Sequence, residues 1–215
     1  MIPVDFQHAA LPAKPRKDAG PELQAAYEQE RAKKNINLVG RQRLLHLREQ
    51  MDQSGSQHRS LIFTIDGRSA NRTRLSQIPV RTTLIGRVRK DSAFYFPVPA
   101  QAGRGRKRKY GPRCPTPEEL LKDPTQPWQT VSAYAAGKRY AVRVKTLGRA
   151  YSQMDKAARA LRLVVIEPLP YRLSQSSKFE RREPAFLICT DPELPPAAGR
   201  ASLSVALGYR GDFSR

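Results

Sequence analysis

The chain has 215 residues, of which 39 are Lys or Arg and 19 are Asp or Glu, so its formal net charge is +20 at pH 7. A chain of this length can bury a hydrophobic core in one or two domains, and such an excess of cations predicts a polyanionic partner, nucleic acid. The sequence has no signal peptide and no apolar run that could span a membrane. We therefore expect a cytoplasmic protein with neither a membrane partner nor a small-molecule substrate.

The cysteines and histidines do not indicate a disulfide or a zinc site. Cys114 and Cys189 have no pairing pattern, so we expect both to be reduced, with Cys189 in the core of an apolar strand. His8, His46 and His58 lack ligand spacing, which argues against zinc.

Two helices are predicted near the amino terminus. Pro21 suits a first helical position, and residues 22–34 are rich in helix formers. A second helix is predicted over residues 37–51. Its apolar side would consist of Leu44, Leu45, Leu47 and Met51.

A buried strand over residues 61–65 ends abruptly at Asp66 and Gly67, where the backbone can turn. Asn71 can cap a short helix running to Leu75, and residues 82–88 form a second strand, which predicts a parallel βαβ unit. The carboxyl ends of strands in open α/β sheets hold ligands and metal ions, so Asp66 is a candidate catalytic residue and metal ligand. The alternative is a turn aspartate that follows a core strand.

The second half is mostly β-structure, which makes the whole chain mixed α/β. Residues 94–96 predict a short aromatic strand, and residues 116–119 a capping box that begins a short helix. Residues 128–134 and 139–147 predict a hairpin-like pair, with Trp128 in its core. Two further strands are predicted over residues 161–166 and 185–190.

A dense basic loop lies between these elements. Its cations repel one another unless an anionic partner neutralises them, and the neighbouring glycines let the backbone conform to that partner. We expect the loop to bind phosphate groups rather than to be a disordered, solvated loop. The predicted DNA-binding residues are Arg104, Arg106, Lys107, Arg108 and Lys109 of the loop, together with Arg87, Arg89 and Lys90.

In this order the pieces resemble a DDE-type transposase of bacterial insertion sequences, a DDE superfamily endonuclease, over most of residues 1–196. The likeness rests on several segments together. They are residues 64–67 (Thr-Ile-Asp-Gly), 71–73 (Asn-Arg-Thr), 82–91 (Thr-Thr-Leu-Ile-Gly-Arg-Val-Arg-Lys-Asp), 108–111 (Arg-Lys-Tyr-Gly), 115–120 (Pro-Thr-Pro-Glu-Glu-Leu), 161–166 (Leu-Arg-Leu-Val-Val-Ile) and 187–191 (Leu-Ile-Cys-Thr-Asp).

The resemblance implies a ribonuclease H-like core in which three carboxylates hold two magnesium ions for DNA cleavage and strand transfer. Asp66 matches the second of these carboxylates. Residues 1–90 would then be a partial core with a helical lead-in, and residues 91–196 a β-rich insertion region that carries the basic loop. Magnesium prefers hard oxygen ligands, which agrees with this assignment.

The sequence departs from the family at both ends. No counterpart of the first catalytic aspartate precedes Asp66, and the last catalytic glutamate is missing from residues 197–215. Because the genetic code is degenerate, residues 202–211 can be encoded by codons that have a second meaning. When these codons are translated with a shift of one nucleotide, they give Ala-Tyr-Leu-Trp-Arg-Trp-Asp-Ile-Glu-Val, the family's helix motif. We therefore expect an amino-terminal truncation, a frameshift near Pro196 and an out-of-frame tail over residues 197–215.

These departures predict a transposase fragment without catalytic activity that still binds DNA, because one carboxylate cannot hold two metals in catalytic geometry. A second hypothesis is a non-catalytic basic nucleic-acid-binding protein. A third is programmed frameshifting that restores the full enzyme.

Overall fold

The fold is given by a computed structural model, which describes residues 11–65, 75, 77–99, 108–135, 138–152, 159–168, 170–171, 178, 180–181 and 183–194. Asp66, Asn71, Arg104, Arg106, Lys107 and the tail over residues 197–215 lie outside the described residues. Contacts divide the chain into two units, Met1–His58 and Arg59–Arg215. The boundaries predicted near residues 90 and 196 remain predictions.

The first unit contains the two predicted helices, α1 (Pro21–Lys33) and α2 (Ile36–Gln53). Helix α1 buries none of its side chains, and Pro21 stands at its start. Helix α2 begins after Asn35, whose side-chain oxygen accepts a hydrogen bond from the amide of Asn37 at 2.9 Å. Both helices are therefore confirmed, with ends that differ from the predicted ones by at most two residues.

The apolar side predicted for α2 is only partly correct. Leu44 is buried and Met51 is half-buried, but Leu45 and Leu47 are each 41% exposed. Arg48 is buried instead, and its Nη2 donates to Asp52 Oδ1 at 2.6 Å and to the carbonyl of Ser56 at 3.2 Å. An arginine paired in this way can occupy the position of an apolar residue, because its charge is compensated.

The strands described in the second unit are β1 (Leu61–Ile65), β2 (Thr82–Arg87), β3 (Gln129–Ala135), β4 (Lys138–Ala150), β5 (Leu161–Ile166), β6 (Pro170–Tyr171), β7 (Glu180–Arg181) and β8 (Ala185–Cys189). Six of them form one sheet, with strand order β1-β2-β8-β5-β4-β3. The short strands β6 and β7 form a separate antiparallel pair. A short helix, α3 (Pro117–Lys122), precedes β3.

Strands β1 and β2 are parallel, as predicted, with Leu61 opposite Thr82 and Ile65 opposite Gly86. The other neighbouring pairs of the sheet are antiparallel, including the predicted β3–β4 hairpin. Strands that precede residue 90 in the sequence and strands that follow it therefore belong to one sheet. Among the described residues the chain is mixed α/β, which confirms the predicted class.

Apolar residues are buried on both faces of this sheet. Successive residues of a strand point to opposite faces, so Leu84 and Ile85 belong to two different apolar clusters, as do Ile188 and Leu187. Helix α3 contributes Leu120 to the first cluster. Cys189 is 6% exposed, which confirms its predicted place in the core.

Two local predictions were wrong. Residues 94–96 do not form a regular strand, since they make only isolated bridges from Tyr95 to Arg113 and Tyr151. Trp128 is half-buried rather than a core residue, and it packs against two cations described below. None of the helices in the described residues is long and apolar enough to cross a membrane.

Candidate nucleic-acid interface

The carboxyl ends of β1 and β2 lie at the same end of the sheet because the strands are parallel. The last described residue of β1, Ile65, is buried, and Asp66 follows it in the sequence but lies outside the described residues. Strand β8 runs in the opposite direction. Thr190, after β8, therefore forms hydrogen bonds with the backbone of Leu84, in the amino-terminal half of β2. Asp191 follows Thr190, away from the end of the sheet at which β1 and β2 end.

Two of the carboxylates described towards the carboxyl end of β2 are paired with arginines. Asp91 accepts two hydrogen bonds from Arg89, both at 3.0 Å. Glu167, which follows β5, lies 3.4 Å from Arg143. Within the described ranges, no group of three or more His, Cys, Asp or Glu residues could hold a metal ion. Asp66 lies outside these ranges, so the magnesium predicted there remains a prediction.

The structure describes five of the eight predicted DNA-binding cations. Arg108 and Lys109, at the carboxyl end of the basic loop, are exposed. Arg89 and Lys90 have side chains that are 85% and 66% exposed, and Arg87 is half-buried. Lys90 Nζ lies 3.8 Å from Glu118 Oε2, so part of its charge is balanced. Arg108 and Lys109 are thus the predicted cations best available to a phosphate.

The segment around Tyr95 is held between two other segments by backbone hydrogen bonds. The amide of Tyr95 donates to the carbonyl of Tyr151 at 2.9 Å, and the amide of Tyr151 donates back at 2.8 Å. On the other side, the amide of Phe96 donates to Pro112 and the amide of Cys114 donates to Phe94, both at 2.8 Å. Three segments distant in sequence are therefore joined into a small antiparallel arrangement.

The two faces of this arrangement differ in character. Phe94, Cys114 and Ser152 are each at most 2% exposed on the inner face. Residues directly opposite one another across antiparallel segments share a face, so the bridges of Tyr95 to Arg113 and Tyr151 place these three on the outer face. Sequence reasoning missed this grouping, although the aromatic run over residues 94–96 was a signal for it.

Tyr110 and Lys109 complete the outer face. The rings of Tyr95 and Tyr110 are 5.2 Å apart between centroids and tilted by 35°. Lys109 Nζ lies 5.5 Å from the centroid of the Tyr110 ring, within the range of a cation–π contact. We call Tyr95, Tyr110, Tyr151, Lys109 and Arg113 the tyrosine surface; its tyrosines are half-buried and its two cations are exposed.

A second group of cations surrounds Trp128 and has a structural role. Lys145 Nζ lies 4.8 Å above the ring and donates to the carbonyls of Leu121 and Asp123 at 3.0 and 2.5 Å. The Arg143 guanidinium lies 5.2 Å from the same ring. Lys145 is only 3% exposed, so its charge serves the carboxyl end of α3 rather than a DNA phosphate.

The cysteines are not placed for nucleophilic chemistry. Burial raises the pKa of the Cys114 thiol to about 11, and burial is also the main cause of the raised pKa of Cys189. Both are free thiols, as predicted. They are protonated at neutral pH, and a thiol in this form is a poor nucleophile.

Comparison of the chain with protein-family models, with curated proteins and with solved structures found no match. The interpretation of the interface therefore depends on the residues themselves. The described part of the molecule contains an exposed group of cations next to a fixed group of tyrosines, and this combination suits a nucleic acid better than a small metabolite.

Proposed function

We propose that this chain is a fragment of a DDE-type transposase that binds DNA and does not cleave it. The observation that supports the proposal best is the parallel pairing of β1 with β2. In the family that the sequence resembles, the second catalytic aspartate follows the first strand of such a pair, and Asp66 follows β1 in the sequence. The fold we propose is a partial ribonuclease H-like core, extended by the β-rich region after residue 90.

The proposed loss of cleavage follows from the number of matched carboxylates. In the parent family, two magnesium ions held by three carboxylates would activate the attacking oxygen and stabilise the leaving one. Only Asp66 of this chain matches a member of that set. Asp66 could hold one ion by a carboxylate oxygen, but it cannot position two, so the retained function is binding.

DNA binding is supported by the charge of the chain and by its distribution. The formal charge of +20 includes a cluster of cations over residues 104–109, of which Arg108 and Lys109 are described and exposed. Cations that contact phosphates displace counterions, so the affinity should fall steeply as salt rises and should depend little on sequence.

The experiment uses the full chain and a fluorescent DNA duplex, with binding measured by anisotropy at several salt concentrations and cleavage measured with magnesium. Replacing Arg104, Arg106, Lys107, Arg108 and Lys109 by Gln should weaken binding and flatten the salt dependence. A matched control replaces Lys14, Arg16, Lys17, Arg31 and Lys33, which are exposed in the described part of the first unit, and removes the same charge.

Two results would contradict the proposal. DNA cleavage with magnesium that disappears in Asp66→Ala would show that the chain is an active enzyme. Equal loss of binding in the loop variant and in its matched control would show that binding reflects net charge alone. Asp66→Ala should not weaken DNA binding, because a carboxylate repels phosphate.

A second candidate function is a basic nucleic-acid-binding protein with no transposase ancestry. It is favoured by the tyrosine surface, because fixed aromatic rings and exposed cations can bind a nucleic acid without any metal site. Asp66 would then be a turn residue, and the basic loop with the tyrosine surface would be the functional centre.

The nucleotide sequence of the locus separates the two candidates. Translation in all three frames should yield the Trp-Arg-Trp-Asp-Ile-Glu helix beside residues 202–211 and an aspartate-bearing strand upstream, with inverted repeats flanking the whole. If none of these is found, the transposase proposal fails. A full-length product detected in cells would instead favour programmed frameshifting.

A further inference from the structure

The tyrosine surface combines aromatic rings on a fixed backbone with exposed cations. Its three rings are presented by a hydrogen-bonded scaffold, and its cations, Lys109 and Arg113, are exposed beside them. Aromatic rings are sequence-tolerant partners for bases, because every base has a π-face, while cations contact the phosphates between bases.

The scaffold holds the rings in place before any ligand binds. Tyr95 exchanges a pair of backbone hydrogen bonds with Tyr151, and Phe94 beneath it is fully buried. Gly111, next to Tyr110, donates its amide to the carbonyl of Phe96 at 3.1 Å. A platform that is already ordered loses little conformational entropy when a base stacks on it, which favours binding.

We propose that the tyrosine surface binds single-stranded DNA by stacking unpaired bases on its rings. Tyr110 and Tyr151 would receive the bases, and the Tyr95 ring packs against Tyr110 at a centroid distance of 5.2 Å. A base that stacks on Tyr110 would displace the exposed Lys109 side chain from that ring. Lys109 and Arg113 would contact phosphates of the same strand. The proposal deepens the proposed DNA binding and rests on it, because the basic loop ends at this surface.

The contacts of the described charges favour a nucleic acid over an acidic protein as the partner. Lys109 Nζ lies 5.5 Å from the centroid of the Tyr110 ring, so an exposed cation and an aromatic ring lie close together. A nucleotide offers a partner to each of them, a phosphate to the cation and a base to the ring. An acidic peptide would use the cations, but it offers an aromatic ring only where it carries an aromatic residue, whereas every unpaired nucleotide carries a base. Double-stranded DNA would leave the rings unused, since its bases are stacked on one another.

The test compares two single strands of equal length and charge, one of thymidines and one in which every base is replaced by an abasic tetrahydrofuran unit. The full chain should bind the thymidine strand at least about fivefold more tightly, since stacking one base on an aromatic ring has about this effect on affinity. The phosphates are the same in both strands, so this ratio reports the bases alone.

Variants of the tyrosine surface test whether it causes the ratio of affinities for the thymidine and abasic strands. Tyr110→Leu and Tyr151→Leu should each reduce it, and should leave the affinity for the abasic strand unchanged. Lys109→Gln should weaken binding of both strands equally. It should also reduce the steepness of the plot of log affinity against log salt concentration by about 0.7, the value for one phosphate contact on a single strand. Tyr27→Leu, in α1, is the matched control and should change nothing.

Tyr110 takes no part in the β-bridges that join Tyr95 to Arg113 and Tyr151, so Tyr110→Leu should fold even if Tyr151→Leu does not. Circular dichroism of both variants checks their folding. Equal affinity for the two strands overturns the proposal, and binding of duplex in that case leaves the proposed DNA binding intact. A base preference that persists in every tyrosine variant also overturns it, because the bases would then bind elsewhere. If neither strand nor duplex binds, both proposals fail.

Discussion

The backbone of Gly111 approaches the backbone of Phe96 so closely that residue 111 has no room for a side chain. Its amide donates to the carbonyl oxygen of Phe96 at 3.1 Å. A Cβ added at this position would meet that same oxygen at 2.7 Å and would lie even closer to the carbonyl oxygen of Pro97. Both neighbours are backbone atoms, which cannot move aside by changing rotamer.

Gly111→Ala should therefore destabilise the protein and displace Tyr110. Relief of the clash requires the backbone to shift, at a cost of roughly 1–3 kcal/mol, typical of overpacking. Denaturant unfolding measures this cost, and the preference for thymidine over abasic strands reports the position of Tyr110. Gly148→Ala is the matched control, because a Cβ at residue 148 meets no atom within 4 Å. Equal stability of the two variants would contradict the described contact.

Lys145→Met should lower the free energy of unfolding by about 2 kcal/mol, because charged hydrogen bonds are lost and a buried carbonyl is left without its donor. Lys145 Nζ donates to the carbonyls of Leu121 and Asp123 beneath Trp128. The control is Lys122→Met, whose side chain is 71% exposed and pairs only with Glu118 among its described contacts. The fluorescence of Trp128, the single tryptophan, should change in the first variant alone.

Thr116→Ala should cost about 1 kcal/mol, the usual value for loss of an amino-terminal cap. The hydroxyl of Thr116 accepts a hydrogen bond from the amide of Glu119 at 3.2 Å, and the carboxylate of Glu119 accepts one from the amide of Thr116 at 2.7 Å. Chemical denaturation of the variant measures the cost. Thr125→Ala, outside any helix, removes a comparable hydroxyl as the control. If both variants lose the same stability, the cap is not the cause.

The same capping box makes stability depend on pH. The hydrogen bond from the Thr116 backbone is the main cause that lowers the pKa of Glu119 below its usual value. The stabilisation is therefore complete above the unfolded-state pKa and is lost as the pH falls through the lowered folded-state pKa. Glu119→Gln should lose less stability than the wild type between neutral pH and about pH 3. A larger loss in the variant would contradict this sign.

Both cysteines should resist thiol reagents in the folded protein. Burial raises the pKa of Cys114 to about 11, so the reactive thiolate is scarce at neutral pH, and the pKa of Cys189 is raised in the same direction. Reaction with a chromogenic disulfide should be slow in buffer and rapid in denaturant. Ser132→Cys, exposed on β3, supplies a fast-reacting control. Rapid labelling of the native wild type would show that a cysteine is accessible.

The helices and strands of this protein could be predicted closely from local patterns. Pro21, the Asn35 cap and the capping box of Thr116 and Glu119 act within one helical turn, and the apolar runs in β1, β5 and β8 each extend over a few residues. Local hydrogen bonds and backbone preferences determine such features, so they are present in the sequence itself. The basic loop is visible for the same reason, since its charges are contiguous.

The grouping of side chains into surfaces depends on the tertiary structure alone. Tyr95 meets Tyr151 only because the chain returns after β4. Lys145 of β4 likewise donates to carbonyls around the end of α3, which lie 24 and 22 residues earlier in the sequence. Strand pairing sets these neighbours, and it joins segments far apart in sequence. The amino-acid sequence by itself therefore determined the elements and the basic character of the protein, whereas only the folded sheet decided which rings and charges meet.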